Sequence, residues 1–110
     1  MPKSRFDHSI SGPIGLEKPT IKVVMARSVS LSWKKPLISG GLITRYQLHA
    51  YPVLFATNVT QEILNVDMTE GTIDNLEANS MYLFTVEVFT SSGSLESDSA
   101  SETTLPAGEL

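Results

Sequence analysis

The run Ser28-Val29-Ser30-Leu31-Ser32-Trp33 and the later run Leu76-Glu77-Ala78-Asn79-Ser80-Met81-Tyr82-Leu83-Phe84-Thr85-Val86 decide the fold. Both alternate polar and apolar side chains with period two, so each predicts a strand with one buried and one wet face. Val29, Leu31 and Trp33 fall on one face of the first run, with three serines on the other. Tyr82, Phe84 and Val86 share the buried face of the second. A Trp closing one strand and a Tyr opening another are large anchors of the kind that fill the space between two packed sheets.

Composition bounds the rest. A chain of 110 residues with 41% hydrophobic residues makes one domain with one core. It has no cysteine, which excludes disulfides and cysteine-ligated zinc, so the fold must stand on packing alone. A net charge of −4 argues against an electrostatic grip on nucleic acid or on anionic lipid, so neither is expected as a direct partner. No apolar run approaches the roughly 20 residues of a membrane span, and the N-terminus lacks the apolar stretch of a signal peptide. The chain is therefore expected to be a piece of a longer, multidomain protein.

Residues 1–18 hold Pro2, Gly12, Pro13 and Gly15 without sustained period and are expected to form a flexible arm or linker. A domain is expected over 19–106, with 107–110 as a C-terminal linker. Ile21 and Val23 are expected to face one way in a short first strand. After the breaker-rich loop Lys34–Gly41, the segment Ile43–Tyr51 puts Tyr46, Leu48 and Ala50 inward and Arg45, Gln47, His49 and Tyr51 outward. Pro52 then limits pairing, Thr60–Val66 looks extended, and Gly71, Ile73 and Leu76 mark a fifth strand. Tyr82, Phe84, Val86 and Val88 line a sixth. A turn at Ser91–Ser94 leads to a last strand bearing an acidic stripe of Glu96, Asp98 and Glu102. Seven strands without a helical period predict an all-β fold, a seven-stranded antiparallel β-sandwich. Its expected core is Trp33, Tyr46, Leu48, Leu76, Tyr82, Phe84 and Val86.

Catalysis and cofactor binding find no support in the residues. His8 and His49 are the two imidazoles, one in the arm and one on an open sheet face, with no nucleophile beside either in sequence. Asp67, Glu70 and Asp74 lack the alternating pattern of a calcium loop. The expectation is no enzyme, no metal and no cofactor. Asn58-Val59-Thr60 is an N-glycosylation sequon, a candidate acceptor in an extracellular protein.

From Pro19 to Pro106, about four-fifths of its length, the chain resembles a fibronectin type III domain. The resemblance rests on Pro19, Val29-x-Leu31-x-Trp33, Pro36, Ile43-x-x-Tyr46-x-Leu48, Ile73-x-x-Leu76, Tyr82-x-Phe84-x-Val86 and Thr104-x-Pro106. Ala78 and Ser80 depart from the proline and threonine common in the family, which touches turn rigidity rather than the fold. The resemblance implies a sheet of the first, second and fifth strands against a sheet of the others. It also implies a tyrosine corner, with Tyr82 bonded back to the preceding loop. It further implies a non-catalytic protein-interaction and spacer module in a tandem array, within the extracellular region of a cell-surface adhesion or receptor protein. The same fold also occurs in intracellular scaffold, muscle or nuclear cofactor proteins, and as an accessory domain of secreted enzymes. Expected partners are other proteins and neighbouring domains, with the isolated module a monomer. The best candidate contact surface is the outer face carrying Arg45, Gln47, His49, Tyr51, Leu83 and Phe89, a mixture of aromatic, aliphatic and Arg side chains typical of interface cores.

Trp33→Ala is expected to cost about 3–5 kcal/mol, the range for emptying an aromatic site in a close-packed core. Urea denaturation followed by tryptophan-independent far-UV dichroism measures it.

Overall fold

The period-two pattern resolves into eight strands in the computed structural model, which describes residues 12–54 and 56–107. They are β1 (Thr20–Val24), β2 (Val29–Ser32), β3 (Ile43–Pro52), β4 (Val59–Ile63), β5 (Glu70–Ile73), β6 (Met81–Thr90), β7 (Gly93–Glu96) and β8 (Ala100–Thr103). Every pairing is antiparallel. One sheet has the order β1-β2-β5; the other has the order β4-β3-β6-β7, with β8 also on β6. Between them lies a core of Val29, Leu31, Trp33, Tyr46, Leu48, Ala50, Ile73, Leu76, Tyr82, Phe84, Val86 and Val88. The Trp33 and Tyr46 rings lie 5.3 Å apart at its centre. At Gly71 side chains of the other sheet approach the backbone closely. A Cβ there would meet Ile63 Cδ1 at 2.8 Å and Leu48 Cδ1 at 3.2 Å.

Three expectations are corrected. Val23 does not share a face with Ile21. A β-bulge between Ile21 and Val23 inserts one residue, so Ile21 and Val24 lie opposite Leu31 and Val29, and Val23 stands outside, 51% exposed. The single last strand is two. Glu96 pairs with Glu87 but Ala100 pairs with Phe84, a slip of one residue between β7 and β8. Ser97 fills the break: its N–H donates to Val86 O at 2.8 Å, and its Oγ accepts the Val86 N–H at 3.0 Å. The slip also dissolves the acidic stripe, because Glu102 comes opposite the inward Tyr82 while Glu96 stays on the outer face.

Residues 12–18, expected in the arm, lie against the sandwich. Ile14 and Ile38 exchange backbone hydrogen bonds at 2.8 and 3.2 Å, and Leu16 packs on the core. Residues 1–11, with His8, lie outside the described residues.

The chain crosses from one sheet to the other over 74–80, between β5 and β6. Two left-handed residues shape the crossing, Asn75 (φ 66°) and Asn79 (φ 54°), a conformation that asparagine adopts more readily than other side chains. Leu76 is buried and its N–H donates to Arg27 O at 3.1 Å. Glu77 is held at both backbone groups. Its N–H donates to Tyr82 Oη at 2.8 Å, and its carbonyl accepts from Thr104 Oγ1 at 2.7 Å. Thr104 Oγ1 also accepts the Ser80 N–H at 2.9 Å.

Tyr82→Phe and Thr104→Val each remove one arm of this clamp while keeping shape. Tyr82→Phe is expected to cost about 1–3 kcal/mol, the range for leaving one backbone group unpaired, and Thr104→Val more, because it strands both the Glu77 carbonyl and the Ser80 N–H. The check is a lowered urea midpoint at unchanged m-value.

Candidate protein-contact face

On the outer face of the five-stranded sheet, the register sets side chains in rows. Arg45 lies opposite Phe89, Gln47 opposite Glu87, His49 opposite Thr85 and Tyr51 opposite Leu83. On the far side of β3, Gln47 faces Glu62 and His49 faces Thr60. β7 brings Glu96 opposite Glu87, two like charges in one cross-strand pair.

The polar residues of the face are bound to one another. The Arg45 guanidinium lies 3.9 Å from the Phe89 ring centroid, a cation–π contact, and its Nε is 3.4 Å from Glu62 Oε2 without the alignment of a hydrogen bond. Gln47 Nε2 donates to the same Glu62 oxygen at 3.1 Å. His49 Nε2 lies 2.8 Å from Glu87 Oε1 and Nδ1 lies 3.1 Å from Thr60 Oγ1. The carboxylate only accepts, so Nε2 carries a proton whatever the charge of the ring. The Tyr51 ring stacks on His49 at 5.6 Å and its hydroxyl donates to Glu96, which also accepts from Thr85 Oγ1 at 2.6 Å. Thr85 is thereby 5% exposed, although it points outward. His49 and Tyr51 thus bring a ring N–H and a hydroxyl to the paired Glu87 and Glu96.

The six residues expected on this face all lie on it, but its apolar members do not form one patch. Phe89 is half-buried under Arg45 near one end of β6, whereas Leu83 (37% exposed) and Met81 (45% exposed) stand near the other. Beside Met81, among the described residues, runs a groove of about 660 Å³ lined by Pro52, Val53, Leu54, Glu77, Asn79 and Thr103. Asn58 is exposed, one residue before β4. The expected core residues Trp33, Tyr46, Leu48, Leu76, Tyr82, Phe84 and Val86 are all buried. Among the described residues, no group of three or more His, Cys, Asp or Glu side chains is placed to hold a metal ion. Sequence reasoning missed Thr60, Glu62 and Glu96 as members of the face. Period-two alternation puts them on one side of a strand, but which residue meets His49 or Tyr51 depends on a register that loop lengths do not disclose.

The fibronectin type III domain family matches residues 16–104, starting at the core-packing Leu16. Ephrin type-A receptor 7 of Gallus gallus is 33% identical over 70 residues, which is 64% of this chain and 7% of the receptor. Usherin of Homo sapiens is 37% identical over 60 residues, 54% of this chain and 1% of usherin. The chain thus spans a small part of each relative's length. The solution structure of the fibronectin type III domain of human fibronectin type III domain containing protein 3 superposes with a TM-score of 0.69. It is 24% identical, and 96% of this chain and 94% of that one are covered, a likeness of fold.

The face titrates at both extremes. Burial, followed by the hydrogen bond to Glu96 and its charge, pushes the Tyr51 phenol from 10.0 up to about 12. Burial acts to raise Glu96, but hydrogen bonds from Thr85 and Tyr51 and the proximity of His49 outweigh it and hold the carboxyl below its ordinary value of 4.5. Between pH 10 and about 12 the unfolded chain has lost a Tyr51 proton that the native state keeps, so stability falls as pH rises through this window. Below pH 4.5 the unfolded chain takes up a proton that native Glu96 resists, so stability falls as pH drops through the lowered value. Urea midpoints across pH are expected to decline on both flanks, with Tyr51→Phe flattening the alkaline one.

Proposed function

Because this chain belongs to the fibronectin type III family, we propose that it is a non-catalytic protein-interaction and spacer module of a cell-surface adhesion or receptor protein. The observation that carries the reading is where the chain enters and leaves the sandwich. Ile14 pairs with Ile38, and Gly12 lies beside Gly93 at the β6–β7 turn. Leu105 bonds Met25 O at 3.0 Å and accepts from Asn79 N at 2.9 Å, beside the start of β6. The ten residues of β6 separate these poles by about 30 Å. A rigid body entered at one pole and left at the other sets the spacing of whatever precedes and follows it, and the neighbouring domains are its first partners. The relative named as a receptor supports a cell-surface setting, and so does the exposed sequon at Asn58.

The contact surface in this reading lies on the outer face that carries Arg45, Gln47, His49, Tyr51, Leu83 and Phe89. Its polar side chains are already held in place by Glu62, Glu87 and Glu96, so a partner meets them with little further ordering to pay for. The module itself makes no direct membrane contact.

Labelling intact cells of the source tissue with a membrane-impermeant biotin reagent tests the setting. The parent protein, detected with an antibody to this module, is expected in the biotinylated fraction. Its recovery only from the interior of permeabilised cells would overturn the reading.

A further inference from the structure

We infer that Asn58 carries an N-linked glycan whose first sugars lie over the Tyr51–Leu83 end of the outer face, confining protein contact to the Arg45–Phe89 end. The inference rests on the extracellular setting proposed above. The sequon Asn58-Val59-Thr60 has a non-proline middle residue, and Asn58 is exposed. The register gives it a direction. Ala50 pairs with Val59 and His49 with Thr60, where the ladder ends, and Asn58 is the residue just before it, at the Tyr51 end of β3. Alternation then assigns position 58 to the outer face, together with His49 and Thr60.

Tyr51 and Leu83 lie across the sheet at that end, with Leu83 two strand spacings from position 58, about 10 Å. One side of the Tyr51 ring is stacked on His49. Next along the two strands come the exposed apolar side chains Leu83, Met81 and Val53 (50% exposed): Leu83 is opposite Tyr51, and the Val53 N–H donates to Met81 O at 3.0 Å. A sugar chain has apolar C–H faces and a hydroxylated rim. It fits a surface of this kind at the edge of water, and it is tethered at the patch's border. At the other end, Phe89 lies beneath Arg45, remote from the tether along β3 and β6.

Attachment requires a polyprenyl-diphosphate-linked oligosaccharide as donor. Asn58 Nδ2 attacks the sugar C1, the C1–O bond to the diphosphate breaks, and the amide gives up one proton. In the folded ladder the Thr60 hydroxyl is engaged by His49 Nδ1 at 3.1 Å, so the transfer acts on the chain before β4 docks on β3.

The test uses the full 110-residue chain, secreted from mammalian cells behind a signal sequence. The chain has no cysteine, so Leu83→Cys gives a single thiol at the covered end, and Ser94→Cys, opposite Phe89, gives one at the open end. Glycopeptide mass spectrometry is expected to find Asn58 occupied. Leu83→Cys is expected to react with a maleimide reagent several-fold faster after enzymatic removal of the glycan, while Ser94→Cys is unchanged. Asn58→Gln combined with Leu83→Cys is expected to react at the faster rate without treatment. An unmodified Asn58 in the secreted chain overturns the inference, and so does an occupied one whose removal leaves the Leu83→Cys rate unchanged. Comparing the same variant before and after sugar removal cancels any effect of the substitution on folding. Secretion here is imposed by the signal sequence, so failure concerns the glycan; failure of surface biotinylation in native cells concerns the cell-surface setting.

Discussion

The crossing from β5 to β6 is where the two sheets become one molecule, and the Glu77 clamp holds it. β6 supplies the partner edge for β3, β7 and β8, so its placement over the other sheet positions every strand of its own. That placement is set within a few residues. Leu76 plugs the core, Asn75 and Asn79 turn the backbone, and Tyr82 and Thr104 fix the N–H and carbonyl of Glu77 from two different strand ends. Thr104 follows β8 and Tyr82 lies in β6, so the clamp also ties the final segment of the chain to the crossing. Hydrophobic burial drives the sheets together without direction, whereas these bonds decide how they meet.

The outer face shows the opposite balance. Little apolar surface is gained there, and two glutamates sit opposite each other on neighbouring strands. Donors and one cation make the arrangement tolerable: His49 for Glu87, Tyr51 and Thr85 for Glu96, Gln47 for Glu62, with the Arg45 charge beside Glu62. A mixed layer of this kind contributes modestly to stability, as exposed ion pairs do. Its larger effect is to fix rotamers that long side chains would otherwise explore. The face is thus stiff and specific in shape before anything binds.

Much of this was legible in the residues. Val29-x-Leu31-x-Trp33 and Tyr82-x-Phe84-x-Val86 place two buried faces by alternation alone, and inward Tyr46, Leu48 and Ala50 follow from the same rule. Val23 was misread because a bulge adds a residue without altering composition; nothing in Thr20–Val24 distinguishes a regular from a bulged pairing. The break at Ser97 escaped for the same reason, and Glu102 was misplaced as a consequence. The candidate face was legible as a list of outward residues in β3 and β6. Its partners were not, because Glu62 and Glu96 reach it through pairings between segments far apart in sequence. Alternation is local information; register is not.

The arrangement of entry and exit has a mechanical side. β1 starts near the pole where the chain arrives, and β8 ends near the pole where it leaves, so both run lengthwise along the body. Tension drawn through the two ends pulls β1 along β2 and β8 along β6, parallel to the strands and across their hydrogen bonds. Bonds loaded in this direction share the force and must yield together, whereas bonds pulled from one end open singly. The clamp at Glu77 sits where β8 would begin to slide, and Thr104 anchors the sliding strand to the crossing. A chain built this way behaves under load as a stiff link rather than a spring.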